Sequence, residues 1–167
     1  MTFTNEEHIK KDRLRYTKNK LSANLTYLSI VFDCIYFILL YSLDITRSSA
    51  VRTQYYVWMM GISVLYNLIF LLISFLCSQG VMNYSKSHGY VLMIVGACQV
   101  IRIFIWPTQL HSMTGLDGTL VMTDDRFVWE IICLVASAAI SIIAGIVAVI
   151  KTTTLRNYEA ELKRRGS

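Results

Sequence analysis

The chain has 167 residues, 54% of them hydrophobic and only 16% charged, with a mean hydropathy of +0.48. A water-soluble domain of this size could not cover itself with so little polar surface, so the composition points to a membrane protein. The net charge of +5 does not indicate nucleic acid: the basic residues gather at the two ends beside apolar runs, and no nucleic-acid-binding signature accompanies them.

Residues 5–20 come first, a mostly charged stretch with helix-forming residues and Ile9 and Leu14 interspersed. It reads as an amphipathic segment on a membrane surface, where Lys10, Lys11, Arg13, Arg15, Lys18 and Lys20 would meet anionic lipids. The first apolar run begins too late and runs too long for a cleavable signal peptide. Four predicted spans follow, at about 21–41, 55–77, 88–106 and 127–150, each near the ~20 apolar residues that a bilayer core requires. Pro107 to Arg126 is the longest connection between them; it carries the turn cluster TGLDG and is expected either to cap the bundle or to bind something outside. Thr123 or Asp124 reads as the N-cap of the fourth span, and residues 151–167 read as a short charged helix leaving it. With one proline and no linker composition, residues 1–167 form a single four-span domain.

The expected fold is therefore all-α: a polytopic four-helix transmembrane bundle, up-down-up-down. Lys and Arg concentrate in the N-terminal segment, at Lys86 and in the C-terminal tail, leaving Arg47, Arg52 and Arg126 for the other side. By the positive-inside rule both termini lie in the cytoplasm of a cell-membrane protein. Trp58, Trp106 and Trp129, with Tyr55 and Tyr56, fall at the opposite face as one aromatic belt.

Each span carries one polar face. In the first, Ser22, Thr26, Ser29, Asp33 and Tyr36 recur at steps of three and four; in the second, Ser63, Asn67 and Ser74 do so. The third aligns His88, Gln99, Arg102 and Trp106, and the fourth Glu130, Ser137, Ser141, Ala144 and Ala148. Polar and small faces turn inward in a membrane bundle, because lipid offers no hydrogen bonds and small residues allow close packing. This places Asp33, Asn67, Gln99, Arg102, Glu130 and Ser137 as an intramembrane cluster, with Asp33 roughly 12 Å inside its span at ~1.5 Å per residue. A charge at the bilayer centre costs on the order of 2.5–3.5 kcal/mol, so Asp33 and Arg102 are not expected to remain unpaired. Arg102 has two acids in reach. Pairing with Glu130 leaves Asp33 to Gln99, Asn67 and hydroxyls; pairing with Asp33 leaves Glu130 to the outer water.

No nucleotide-binding loop or nucleophile–base pair occurs, and His8, His88 and His111 are scattered, so neither an enzyme nor a metal or cofactor site is expected. Cys34, Cys77, Cys98 and Cys133 form no C-x-x-C pair and read as small hydrophobes. The expected role is a non-catalytic subunit or assembly partner of a larger membrane complex. The alternative is an oligomeric ion- or proton-coupled transporter or channel in which Asp33 titrates, since intramembrane ionisable residues mark such pathways. Partners would be the bilayer and either a protein partner or a further copy of the chain.

Overall fold

The computed structural model describes residues 5–47, 54–115 and 118–165; Arg52, and Leu116 and Asp117 of the turn cluster, lie outside the described residues. Among these residues the fold is five helices: α1 (Asn5–Tyr16), α2 (Lys20–Arg47), α3 (Gln54–Met82), α4 (Lys86–Ser112) and α5 (Asp124–Arg165). The last four are each long and apolar enough to cross a membrane. They form a ring: each packs on the next in sequence, and α5 closes onto α2. The chain is thus a four-helix membrane bundle, with α1 lying against α5.

The inward face of each helix follows the polar periodicity. Ser22, Thr26, Ser29, Asp33 and Tyr36 are all buried on α2, as are Ser63, Asn67 and Ser74 on α3. On α5 the buried stripe runs Glu130, Ser137, Ser141, Ala144 and Ala148. The outward faces are long apolar side chains such as Ile38, Leu65, Leu72, Ile94, Phe104 and Ile150, the pattern of helices solvated by hydrocarbon.

Two interfaces hold the ring on the α5 side. Between α2 and α5 the contact is made by hydroxyls. Ser22 Oγ donates to the Ala144 carbonyl at 2.7 Å, Ser29 Oγ lies 2.6 Å from Ser141 Oγ, and Ser137 Oγ donates to the Ser29 carbonyl at 3.1 Å. Between α4 and α5 the contact is made by missing side chains. A Cβ on Gly96 would stand 2.8 Å from the Ala138 carbonyl oxygen, and one on Gly145 would stand 2.6 Å from the Gly89 carbonyl oxygen. Backbones approach this closely only where small residues allow it, which maximises dispersion contact in a solvent that supplies no hydrophobic drive between helices.

The two ends of the bundle differ. At one end α3 turns into α4 through 83–85, where Ser85 N–H donates to the Gly80 carbonyl and Tyr84 N–H to that of Val81. Tyr84 takes the left-handed φ of 56° that this helix-terminating motif requires. Asn19 N–H donates to the Met82 carbonyl, so the α1–α2 junction is tied to the same end. There α1 docks on the far part of α5: Tyr158 Oη donates to Asp12 Oδ1 at 2.9 Å, and the His8 ring meets the Tyr158 ring edge-on. The charged tail is the direct continuation of α5, whose 42 residues span about 63 Å at ~1.5 Å per residue, twice a ~30 Å hydrocarbon core.

At the opposite end the long connection is shorter than its sequence suggests. Pro107 does not open it; α4 runs through Pro107 to Ser112. The proline removes the donor that would bond the Ile103 carbonyl, and Thr108 Oγ1 supplies one instead at 3.1 Å. Residues 113–115 and 118–123 then fold back over the bundle, with Val121 N–H bonded to the Met113 carbonyl and Gly118 at a φ of 73°. Val121 and Met122 enter a core cluster with Leu40, Leu43, Tyr56 and Leu110, so this loop plugs its end of the ring. The Thr123 carbonyl accepts from Phe127 N–H as α5 begins, which makes Thr123 the N-cap position. Trp58, Trp129 and Tyr55 face outward at this end, but Tyr56 is buried and Trp106 is half-buried, stacked on Tyr66 at 6.1 Å. The belt is therefore narrower than the sequence implies, because those two rings fall on the inward side of their helices.

Candidate functional site

The inward faces of the four long helices carry buried charged and polar side chains. Asp33 and Tyr36 come from α2, Ser63 and Asn67 from α3, Gln99 and Arg102 from α4, and Glu130 from α5; none is more than 2% exposed. Each is where helical periodicity puts it, and the side chains of one helix are single turns apart, as with Asn67 four residues after Ser63.

Arg102 is the centre. Its Nη1 lies 3.6 Å from Asp33 Oδ1, an ion pair wider than a hydrogen bond. The guanidinium carbon sits over the Tyr36 ring at 4.4 Å and the Tyr66 ring at 5.3 Å, so aromatic faces take part of the place of water around the cation. Tyr66 is itself stacked on Phe70 at 4.4 Å and on Trp106. The Tyr36 hydroxyl approaches Ser63 and Arg102 without reaching hydrogen-bond geometry. The field of Arg102 falls on both acids, but its contact is with Asp33.

Glu130 does not go to the surrounding water when Arg102 meets Asp33; it is fully buried. The expectation of a hydrated Glu130 took the third span to end at Trp106 and the chain beyond to be open. Because α4 continues to Ser112 and Val121 and Met122 fold over the end, the level of Glu130 is sealed.

The cluster holds many polar atoms without hydrogen-bond partners: Asp33 Oδ1, Ser63 Oγ, both amide atoms of Asn67, Gln99 Oε1, all three Arg102 nitrogens, Trp106 Nε1 and both Glu130 oxygens. Buried polar groups are nearly always satisfied, and exceptions gathered in one place mark strain or a site of chemistry. Donors and acceptors are both represented, around two acids and one base. The arrangement can bind a proton, a cation or a small polar solute; among the described residues no group of three His, Cys, Asp or Glu is placed to hold a metal ion.

Ser137, the remaining residue of the sequence-derived cluster, faces the α2–α5 interface. It bonds Ser29, one turn from Asp33, and belongs to the α2–α5 seam. Three residues escape the sequence reading. Tyr66 flanks Arg102 although only its neighbour Asn67 signals a polar face, and Gly89 and Gly96 set the α4–α5 distance although only their seven-residue spacing announces it. The four cysteines are free, Cys77 and Cys133 buried and Cys34 and Cys98 half-buried.

The four long apolar helices define the class, a small integral membrane protein. No protein-family model, curated protein or solved structure matches the chain.

Proposed function

We propose that the chain is a non-catalytic subunit or assembly partner of a larger membrane complex, lying in the cell membrane with both termini in the cytoplasm. The observation that carries this reading is the rigid arm at the terminal end. There α5 continues past the bundle as an unbroken helix braced by α1. Arg156, Glu159, Lys163 and Arg164 remain exposed on that arm. A braced helix presenting charges beyond the bilayer loses little conformational entropy when it docks, which suits recognition of a protein surface. The cytoplasmic placement is supported by the concentration of Lys and Arg at this end, where Lys10, Lys11, Arg13, Arg15, Lys18 and Lys20 also suit anionic headgroups. The test is purification of the tagged full chain from native membranes in mild detergent, beside a variant with Arg156, Lys163 and Arg164 changed to Glu. A stoichiometric partner held by the first and lost from the second supports the reading, and a full chain that purifies alone overturns it.

The buried charges favour a second reading, an oligomeric ion- or proton-coupled transporter that uses Asp33. Four spans enclose little volume, so several copies would have to form the pathway. Flux through liposomes holding the wild-type chain, abolished by Asp33→Asn, supports it; absence of flux in the wild type eliminates it.

A further inference from the structure

Glu130 stands apart from the rest of the charged cluster. Tyr36 on α2, with Asp33 one turn before it, Arg102 on α4, and Arg126 and Cys133 on its own helix stand around it, while α3 contributes the Ser63 hydroxyl behind Tyr36. Arg102 is engaged on the far side by Asp33 at 3.6 Å and by the Tyr36 ring at 4.4 Å. Arg126 is only half-buried, one turn nearer the end of the helix, where its long side chain reaches toward water. Neither Glu130 oxygen has a hydrogen-bond donor, although the side chain is 0% exposed.

With both acids ionised the closed core would hold two negative charges and one positive. A buried carboxylate stays ionised only at great cost unless a counter-charge stands beside it; without one the group neutralises itself by taking a proton. Asp33 has the guanidinium within ion-pair distance, whereas neither Glu130 oxygen has a hydrogen-bond donor. We propose that Glu130 is a proton-binding site, carrying its proton as a carboxylic acid while Asp33 remains the carboxylate that faces Arg102. The core is then neutral. The site lies about 9 Å along α5 from its start at Asp124, at ~1.5 Å per residue, toward the end of the bundle where Val121 and Met122 pack into the core. Loss of that proton sets two carboxylates in competition for one guanidinium, which couples the occupancy of Glu130 to the Asp33–Arg102 contact. This holds whether the chain serves as a subunit or a transporter.

The experiment is infrared spectroscopy of the full chain reconstituted in lipid bilayers at neutral pH, reading the carbonyl stretch of a protonated carboxylic acid. The expected result is such a band that shifts when the unaltered protein is made with ¹³C-labelled glutamate, stays in place with ¹³C-labelled aspartate, and is lost in Glu130→Gln. The isotope arm needs no variant to fold. Absence of the band, or a band that shifts with labelled aspartate and is lost in Asp33→Asn, overturns the proposal.

Discussion

The serine seam and the charged cluster occupy the same buried faces of α2 and α5, one helical turn apart on α2 and two on α5, and they treat their polar atoms in opposite ways. In the seam the hydroxyls of Ser22, Ser29, Ser137 and Ser141 all find partners across the interface, three of them at helix carbonyls. In the cluster the guanidinium, both Glu130 oxygens and the Asn67 amide find none. Side-chain size accounts for the difference. Serines let two backbones close until a hydroxyl reaches the neighbouring carbonyl, whereas Tyr36, Arg102 and Glu130 are long side chains whose buried polar atoms are left without hydrogen-bond partners. A satisfied polar group in a membrane core is a fastener; a concentration of unsatisfied ones is a place where something binds or moves.

The contrast can be broken by removing one charge from the cluster. Arg102→Leu leaves Asp33 buried without a counter-charge and is expected to destabilise the fold by about 3–5 kcal/mol, read as unfolding in mixed micelles. Asp33→Leu in the same chain should recover most of that loss, and a double variant as unstable as the single would show that the pair is not the source. Next in size is steric pressure on the α4–α5 contact. Gly96→Val places carbon where Ile142 Cγ1 would be 2.6 Å away and should cost about 1–3 kcal/mol. Gly61→Val, with nothing within 4 Å, should change stability by less than about 0.5 kcal/mol.

The seam should yield less. Ser29→Ala removes the hydroxyl shared by Ser137 and Ser141 and is expected to cost about 1 kcal/mol, the usual scale for hydrogen bonds between membrane helices. Adding Ser137→Ala should cost less in that background than alone, because the two hydroxyls serve one interaction. Additive losses would mean that the seam is a set of separate contacts. The smallest effect is expected where polar groups meet water. Tyr158→Phe removes the bond to Asp12 and should cost less than about 1 kcal/mol globally, yet quicken protease cleavage at residues 17–19 by releasing α1 from α5.

Much of this was legible from residue order. The face Ser22–Thr26–Ser29–Asp33–Tyr36 is written in steps of three and four, and helix geometry converts those steps into a buried stripe without reference to the rest of the fold. Asp33 and Arg102 as mutual candidates followed from depth alone. Pro107 misled, since proline ordinarily ends a helix, and here a neighbouring threonine replaces the lost donor. Tyr66 was silent because an aromatic residue near a helix midpoint reads equally as lipid-facing.

By itself, then, the sequence determined that there are four apolar helices and which side of each turns inward, because span length and periodicity are local properties of a helix. The tertiary structure alone decided that Arg102 contacts Asp33, that Ser137 joins the seam, that Glu130 is buried toward the end where Val121 and Met122 pack into the core, and that α1 braces α5. Those outcomes turn on how far a long side chain reaches across a helix gap and on how a loop folds over a helix end. Both are set by packing among residues distant in the chain.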